Sequence, residues 1–254
     1  MNKLKKLGIV GIIAVLIVGC NGENVPDCFQ NAGELVQEVV VVASFDKITV
    51  FENLQLVVKQ GPVQEVRIET GEFLLDEITA EVIGDRLVLR NTNNCNLFRD
   101  YGVSKIVVTS PNITEIRSST GWPIVSEGVL GFPGLSLITE SFNNPETETT
   151  DGSFNLDVAT QTLGIVANGI AYFQVRGTTE NFSITIAAGD SRVEAENLLA
   201  QNVTLNHRGS NDILVNPQQS LQGVIRGTGD VVSLNRPAIL DVEVLYKGRL
   251  IFRD

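Results

Sequence analysis

The chain has 254 residues, with 19 Lys+Arg against 30 Asp+Glu and a formal net charge of −11. So acidic a surface repels nucleic acid and anionic lipid headgroups and suits solubility in an extracytoplasmic space. The length allows one large β domain or two small ones.

The N-terminus has three parts. Lys3, Lys5 and Lys6 are followed by the apolar run Leu7–Val18, which closes on Ile17-Val18-Gly19-Cys20. A short apolar core behind lysines is what the export machinery reads. At about a dozen residues it is shorter than the roughly 20 needed to span a bilayer. Its last four residues match a lipobox. Residues 1–19 are therefore predicted to be a signal peptide and Cys20 the lipidated residue; an ordinary signal peptide with a chance cysteine, or an uncleaved anchor, is the alternative. Removing the three lysines leaves 16 Lys+Arg against 30 Asp+Glu, a net charge of −14. Several acyl chains, each buried CH₂ worth about 0.8 kcal/mol, would hold such a domain on a membrane. The expected address is the cell envelope, lipid-anchored at the outer membrane, on its periplasmic or its surface side.

With Cys20 lipidated, Cys28 and Cys95 are the two cysteines left. Disulfides persist outside the cytoplasm, and a Cys28–Cys95 bridge would tie the N-terminal segment to the end of a strand region. Two free thiols are the other state open to them. Two cysteines with no histidine nearby make a poor zinc site, and neither a metal nor a cofactor is expected.

Residues 20–43 read as a lipid-anchored tether that hands over to the apolar stretch Leu35–Val42. Residues 44–118 read as an N-terminal β subdomain. Period-two alternation runs through Ile48 and Val50, Leu54, Leu56 and Val58, Val66 and Ile68, and Leu87–Leu89, and Gly61-Pro62, Gly71 and Gly84-Asp85 punctuate it as turns. Beyond the signal peptide no segment sustains a 3.6-residue period. Residues 119–254 read as C-terminal repeats. Gly169, Gly189, Gly209, Gly227 and Gly248 are spaced by 20, 20, 18 and 21 residues, each opening a unit of two short alternating stretches around a polar turn. Coils of about that length, stacked so that each strand pairs in parallel with its copies above and below, make a β-solenoid. The predicted fold is all-β, a right-handed parallel β-helix-like solenoid with coils of about 20 residues, and glycine is expected at each corner to supply φ > 0. An antiparallel sandwich is the alternative.

The lipobox, the stretch from Phe45 to Asn91, and the corner Gly227-Thr228-Gly229-Asp230 together resemble the auto-transporter adhesin head (GIN) domain family, common among lipoproteins. The resemblance runs from Phe45 to the C-terminus and is best over Phe45–Gly61, Gly84–Leu87 and Gly227–Asp230. The family's Ser-Gly corners survive here as Ser118-Ser119-Thr120-Gly121, Gly209-Ser210 and Gly227-Thr228-Gly229, and the match weakens over 122–150. It implies stacked β-helix-like structure and an adhesin-like role, and brings no catalytic residues.

The residues themselves suggest little chemistry. His207, the only histidine, reads as an exposed turn residue; a general base would need an orienting carboxylate and a nucleophile, which Asp212 and Ser210 do not supply by spacing alone. Asp190, Asp212 and Asp230 recur near the corners, where turn chemistry explains them better than Ca²⁺ binding. Arg176, Arg192, Arg208 and Arg226 recur without one common offset and read as solvated. Trp122 would cap the core or stack on a sugar. The triplets at Asn112, Asn181 and Asn202 are read as chance. The expected function is a membrane-anchored envelope lipoprotein whose non-catalytic head serves adhesion or binds a glycan or protein surface. The alternative is a carbohydrate-active β-helix enzyme, which would show paired acids in a groove.

Overall fold

The computed structural model describes Cys28, residues 30–51 and 53–93, Cys95, Leu97 and residues 102–253. The predicted signal peptide, Cys20 and the first part of the predicted tether lie outside the described residues.

The chain is all-β and mostly parallel. Its strands are β1 (Leu35–Val40), β2 (Lys47–Phe51), β3 (Gln55–Gln60), β4 (Glu65–Gly71), β5 (Ile78–Ile83) and β6 (Arg86–Asn91). They continue as β7 (Lys105–Ser110), β8 (Glu115–Ser119), β9 (Pro123–Leu130), β10 (Gly134–Thr139), β11 (Ser153–Ala167) and β12 (Tyr172–Ile186). The last are β13 (Arg192–His207), β14 (Ile213–Ile225), β15 (Val231–Ser233), β16 (Ile239–Val244) and β17 (Leu250–Phe252). Each of β11–β14 contributes its first half to one ladder and its second half to another. The first ladder therefore runs β1, β4, β7, β3, β9, the first halves of β11–β14, β15 and β17. The second runs β5, β6, β2, β8, β10, the second halves of β11–β14, and β16. The long strands join the two into one sheet that wraps, barrel-like and nearly closed, around the core.

From β11 onward, parallel partners are 17 to 21 residues apart, as in Ser153↔Tyr172, Phe182↔Val203 and Leu199↔Asn216. That is the spacing of the corner glycines. Before β11 the chain order breaks. The β2/β3 layer sits between β6/β7 and β8/β9, so Lys47 pairs with both Arg86 and Glu115. Antiparallel pairing is confined to β1–β4, β4–β7 and β5–β6, which close the N-terminal end. The sheet and the core run without a break through residues 118 and 119.

Strict alternation makes the core. In the second ladder Leu163, Phe182, Val203 and Leu221 stack in one inward row, and Ile165, Ile184 and Leu205 in the next. In the first ladder Phe154 lies on Phe173 with ring centroids 4.9 Å apart. Each such side chain contributes about 1.5–3 kcal/mol on full burial, and each layer buries its apolar face only on its neighbours.

The corner glycines are where the sequence placed them, but for a different reason than φ. Of the five, only Gly189 has positive φ, at 81°. Four of them, Gly169, Gly189, Gly227 and Gly248, are crowded by backbone of the preceding layer, and a Cβ on Gly227 would stand 2.0 Å from Gly209 O. Asp190 N donates to Gly169 O at 2.7 Å, Ser210 N to Gly189 O at 2.9 Å, and Gly248 N to Gly227 O at 3.0 Å. At Gly209 the nearest atom is the Ile186 side chain, at 2.8 Å. Close layer-to-layer approach, joined by positive φ only at Gly189, requires glycine at these corners.

Candidate functional site

Alternation also decides what faces out. On the second ladder, β10 and the second halves of β11–β14 present three outward rows. The middle row is Ser136, Gly164, Ser183, Thr204 and Gln222. Beside it run Thr162, Asn181, Asn202 and Ser220 on one side, and Ile138, Val166, Thr185, Asn206 and Val224 on the other. None of these positions is Asp, Glu, Lys or Arg, in a chain in which 19% of residues are charged. Charged layers border the face on both sides: Glu115 and Arg117 on β8, Asp241 and Glu243 on β16.

The outer side of the first ladder is the opposite. It carries the pairs Lys59–Glu127, Lys105–Glu69, Arg176–Asp157 and Arg192–Glu194. The contrast marks the charge-free face as the candidate site. At its centre Gly164, lacking a side chain between Ser136 and Ser183, leaves a trough. The cavity has a volume of about 310 Å³ and is lined by Ser136, Thr162, Asn181, Ser183, Asn202 and Thr204 around that floor. Side-chain bonds order one wall, with Asn202 Nδ2 donating to Asn181 Oδ1 at 3.2 Å and Ser220 Oγ to Asn202 Oδ1 at 2.8 Å. Hydroxyls and amides both donate and accept, but no titratable group lines the trough. It can hold a polar ligand, and it offers no acid or base.

The residues singled out in the sequence are scattered over other parts of the fold. Cys28 and Cys95 are paired as a disulfide with Cα atoms 4.5 Å apart, and Leu97 N donates to Cys28 O alongside them. Trp122 is half-buried at the β8–β9 corner, in the middle of the stack and not at its end; its ring lies on Gly102 and its Nε1 donates to Asn53 Oδ1 at 3.4 Å. The aspartates hold corners together: Ser210 Oγ donates to Asp190, Asp230 N to Asp212, and Arg249 N and guanidinium to Asp230. Arg176 holds the Asp157 carboxyl below its ordinary range, and the Arg249 guanidinium does the same to Asp230. The Tyr172 hydroxyl and Arg192 together lower Glu194, and Tyr172 itself is pushed up to about 12. Among the described residues no group of His, Cys, Asp and Glu could hold a metal.

His207 overturns the reading of an exposed turn residue. It is fully buried, in the inward row between Ile186 and Ile225. The signal was present, because Val203, Leu205 and His207 continue one period-two alternation. Neither ring nitrogen makes a well-formed hydrogen bond, although the ring lies against the Asn211 and Gly229 backbone. Burial lowers its pKa, against the smaller opposing influence of the Asn211 and Gly229 backbone and of Asp212 and Asp230. Burial therefore favours the neutral ring in the folded state, whereas the unfolded chain takes up a proton near pH 6.5. Stability from this residue is thus present above that pH and lost as pH falls below it, by up to about 1.4 kcal/mol per pH unit. His207→Leu roughly keeps the volume and removes a buried polar ring whose hydrogen bonds are poorly formed, a group that costs about 1–3 kcal/mol where a bond is left unmade. Its melting temperature should match or exceed wild type at pH 7.5, and the gap should widen towards pH 5. A gap that stays constant between those pH values would show that the ring is not buried neutral.

A family model described as "Putative auto-transporter adhesin, head GIN domain" matches residues 44–237. Among solved structures, a putative adhesin from Bacteroides fragilis superposes with a TM-score of 0.76 at 19% identity, covering 87% of this chain and 99% of that one. A putative adhesin from Parabacteroides distasonis gives 0.63 at 12% identity, covering 87% and 98%. A protein from the same species named as a putative lipid binding protein gives 0.60 at 16%, covering 87% and 97%. At these identities the likeness is one of fold. No curated protein matches the chain.

Proposed function

Since the chain belongs to the auto-transporter adhesin head GIN domain family, we propose that it is a membrane-anchored envelope lipoprotein with a non-catalytic, adhesin-like head. In this reading the head is a right-handed parallel β-helix that holds ligands on the charge-free face. That face carries the proposal: it is ordered, wide and bordered by charge, yet it has no charged position of its own. The carboxylates elsewhere support a non-catalytic head, because Asp157, Glu194 and Asp230 are held ionised by their partners and none is poised to donate a proton near neutral pH.

The anchor is Cys20, and the Cys28–Cys95 bridge fixes where its tether meets the head. Seven residues lie between Cys20 and Cys28, eight steps of chain with a reach of at most about 28 Å. The N-terminal end of the stack is thereby held close to the bilayer. Leu35, Val39, Val41 and Val63 are exposed at that end. In cells fed radiolabelled palmitate, wild type should be labelled and sediment with membranes, whereas Cys20→Ser should be unlabelled and soluble. Equal labelling of the two would refute the anchor.

A further inference from the structure

Resting on the reading of the head as a binding module, we propose that the charge-free face is a binding site for a neutral polysaccharide, whose chain lies along the Gly164 trough and crosses the strands of the second ladder. The trough has the chemistry of such a ligand. Its polar lining is Ser136, Thr162, Asn181, Ser183, Asn202 and Thr204, with Leu135, Leu163 and Phe182 beneath them. Each of the polar side chains can both donate and accept, as each sugar hydroxyl can. The Ile138, Val166 and Val224 positions lie along one side of the trough and offer apolar contact to the C–H faces of the rings.

Charge selects among ligands. A uronate or sulfated chain needs Lys or Arg to repay its desolvation, and the face has neither, on a protein that is acidic overall. A protein partner is anchored as a rule by buried aromatic or Arg side chains, and the three rows contain no aromatic residue. A neutral glycan carries no charge to repay, and its many hydroxyls can be met by the Ser, Thr and Asn side chains of the trough. Geometry favours a polymer over a small sugar. Parallel neighbours repeat at a fixed spacing of about 4.8 Å, so a chain crossing the strands meets similar groups layer after layer. The ladder holds those groups in place before binding, which limits the ordering cost.

The test uses the full-length protein in detergent micelles against immobilised dextran, β-glucan, galactan and mannan, with polygalacturonate, a sulfated glycan and gelatin as the other coats. Binding to at least one neutral polysaccharide is expected, and it should survive 1 M salt because no ion pair contributes. Two variants should weaken it at least tenfold with an unchanged thermal melt: the double change Ser183→Lys with Thr204→Lys, which charges the trough, and Gly164→Gln, which fills it. Arg176→Ala, on the outer side of the other ladder, should bind within twofold of wild type. Neutral-glycan binding that ignores all three variants would place the site elsewhere. Binding only to gelatin or only to the anionic glycans overturns the ligand class and leaves the adhesin-like head standing. Binding to none of the coats, neutral, anionic or protein, overturns both.

Discussion

Ile184→Asp should abolish cooperative folding near room temperature, or lower the melting temperature by more than ten degrees. Ile184 is 1% exposed, in the inward row between Ile165 above and Leu205 below. The backbone groups around it are paired within the parallel ladder, so the carboxylate would enter an apolar row between Ile165 and Leu205. That costs several kcal/mol or forces the group to stay protonated, against a total stability of about 5–15 kcal/mol. The pH dependence identifies the cause. A buried carboxyl has its folded pKa raised, so the deficit relative to wild type should be smallest below about pH 4, where the unfolded chain is protonated too. It should grow as pH rises through the folded value. Ile184→Val, which removes one methyl from the same row, should cost only about 0.5–1.5 kcal/mol. Melts of the two variants between pH 3.5 and 7.5 check the claim; an Asp variant that melts like wild type at neutral pH would show that this row does not face a dry core.

The repeats from residue 153 onward were legible because one physical cause governs them. Glycine spacing and period-two alternation both follow from a coil that closes and stacks, so the units opened by Gly169, Gly189, Gly209 and Gly227 correspond to strands that pair in parallel. The N-terminal part was legible only as strands. Alternation in Ile48 and Val50, or in Leu87 and Leu89, reports which side of a strand is buried and carries nothing about its neighbour. The insertion of β2/β3 between β6/β7 and β8/β9 is therefore invisible in the sequence. The candidate face escaped notice for a related reason. A search for chemistry looks for Asp, His, Cys and Arg, whereas this face is defined by their absence at every second position of five segments that meet only after folding. His207 escaped because residue type outweighed register: a histidine beside Arg208-Gly209 looks like turn surface, yet the alternation through Val203 and Leu205 points it inward.

Gly227→Ala should cost roughly 1–3 kcal/mol or more, the penalty of overpacking, although alanine is the smallest addition there is and the residue is absent from the positive-φ glycines. The added Cβ would lie 2.0 Å from Gly209 O and 2.8 Å from Arg208 C. Both are backbone atoms of the preceding corner, so relief requires the layers to part. Parting them also strains the bonds that close the corner stack, Thr228 N to Gly209 O at 3.1 Å and Gly248 N to Gly227 O at 3.0 Å. Gly84→Ala is the matched control. Gly84 has φ of 67° and no heavy atom within 4 Å of the added Cβ, so its cost is left-handed backbone alone, about 1–2 kcal/mol. The two variants separate crowding from conformation. For a domain of this size about 1 kcal/mol moves the melt by roughly 2–4 °C, so Gly227→Ala should fall by about 2–12 °C or further. The damage should also be local at first: amide exchange should accelerate at the corners around Gly209 and Gly248 before it does in β2 and β3. A Gly227→Ala protein that melts within a degree of wild type would mean that the corners are not in backbone contact, and the stacked-layer account of the glycine spacing would fall with it.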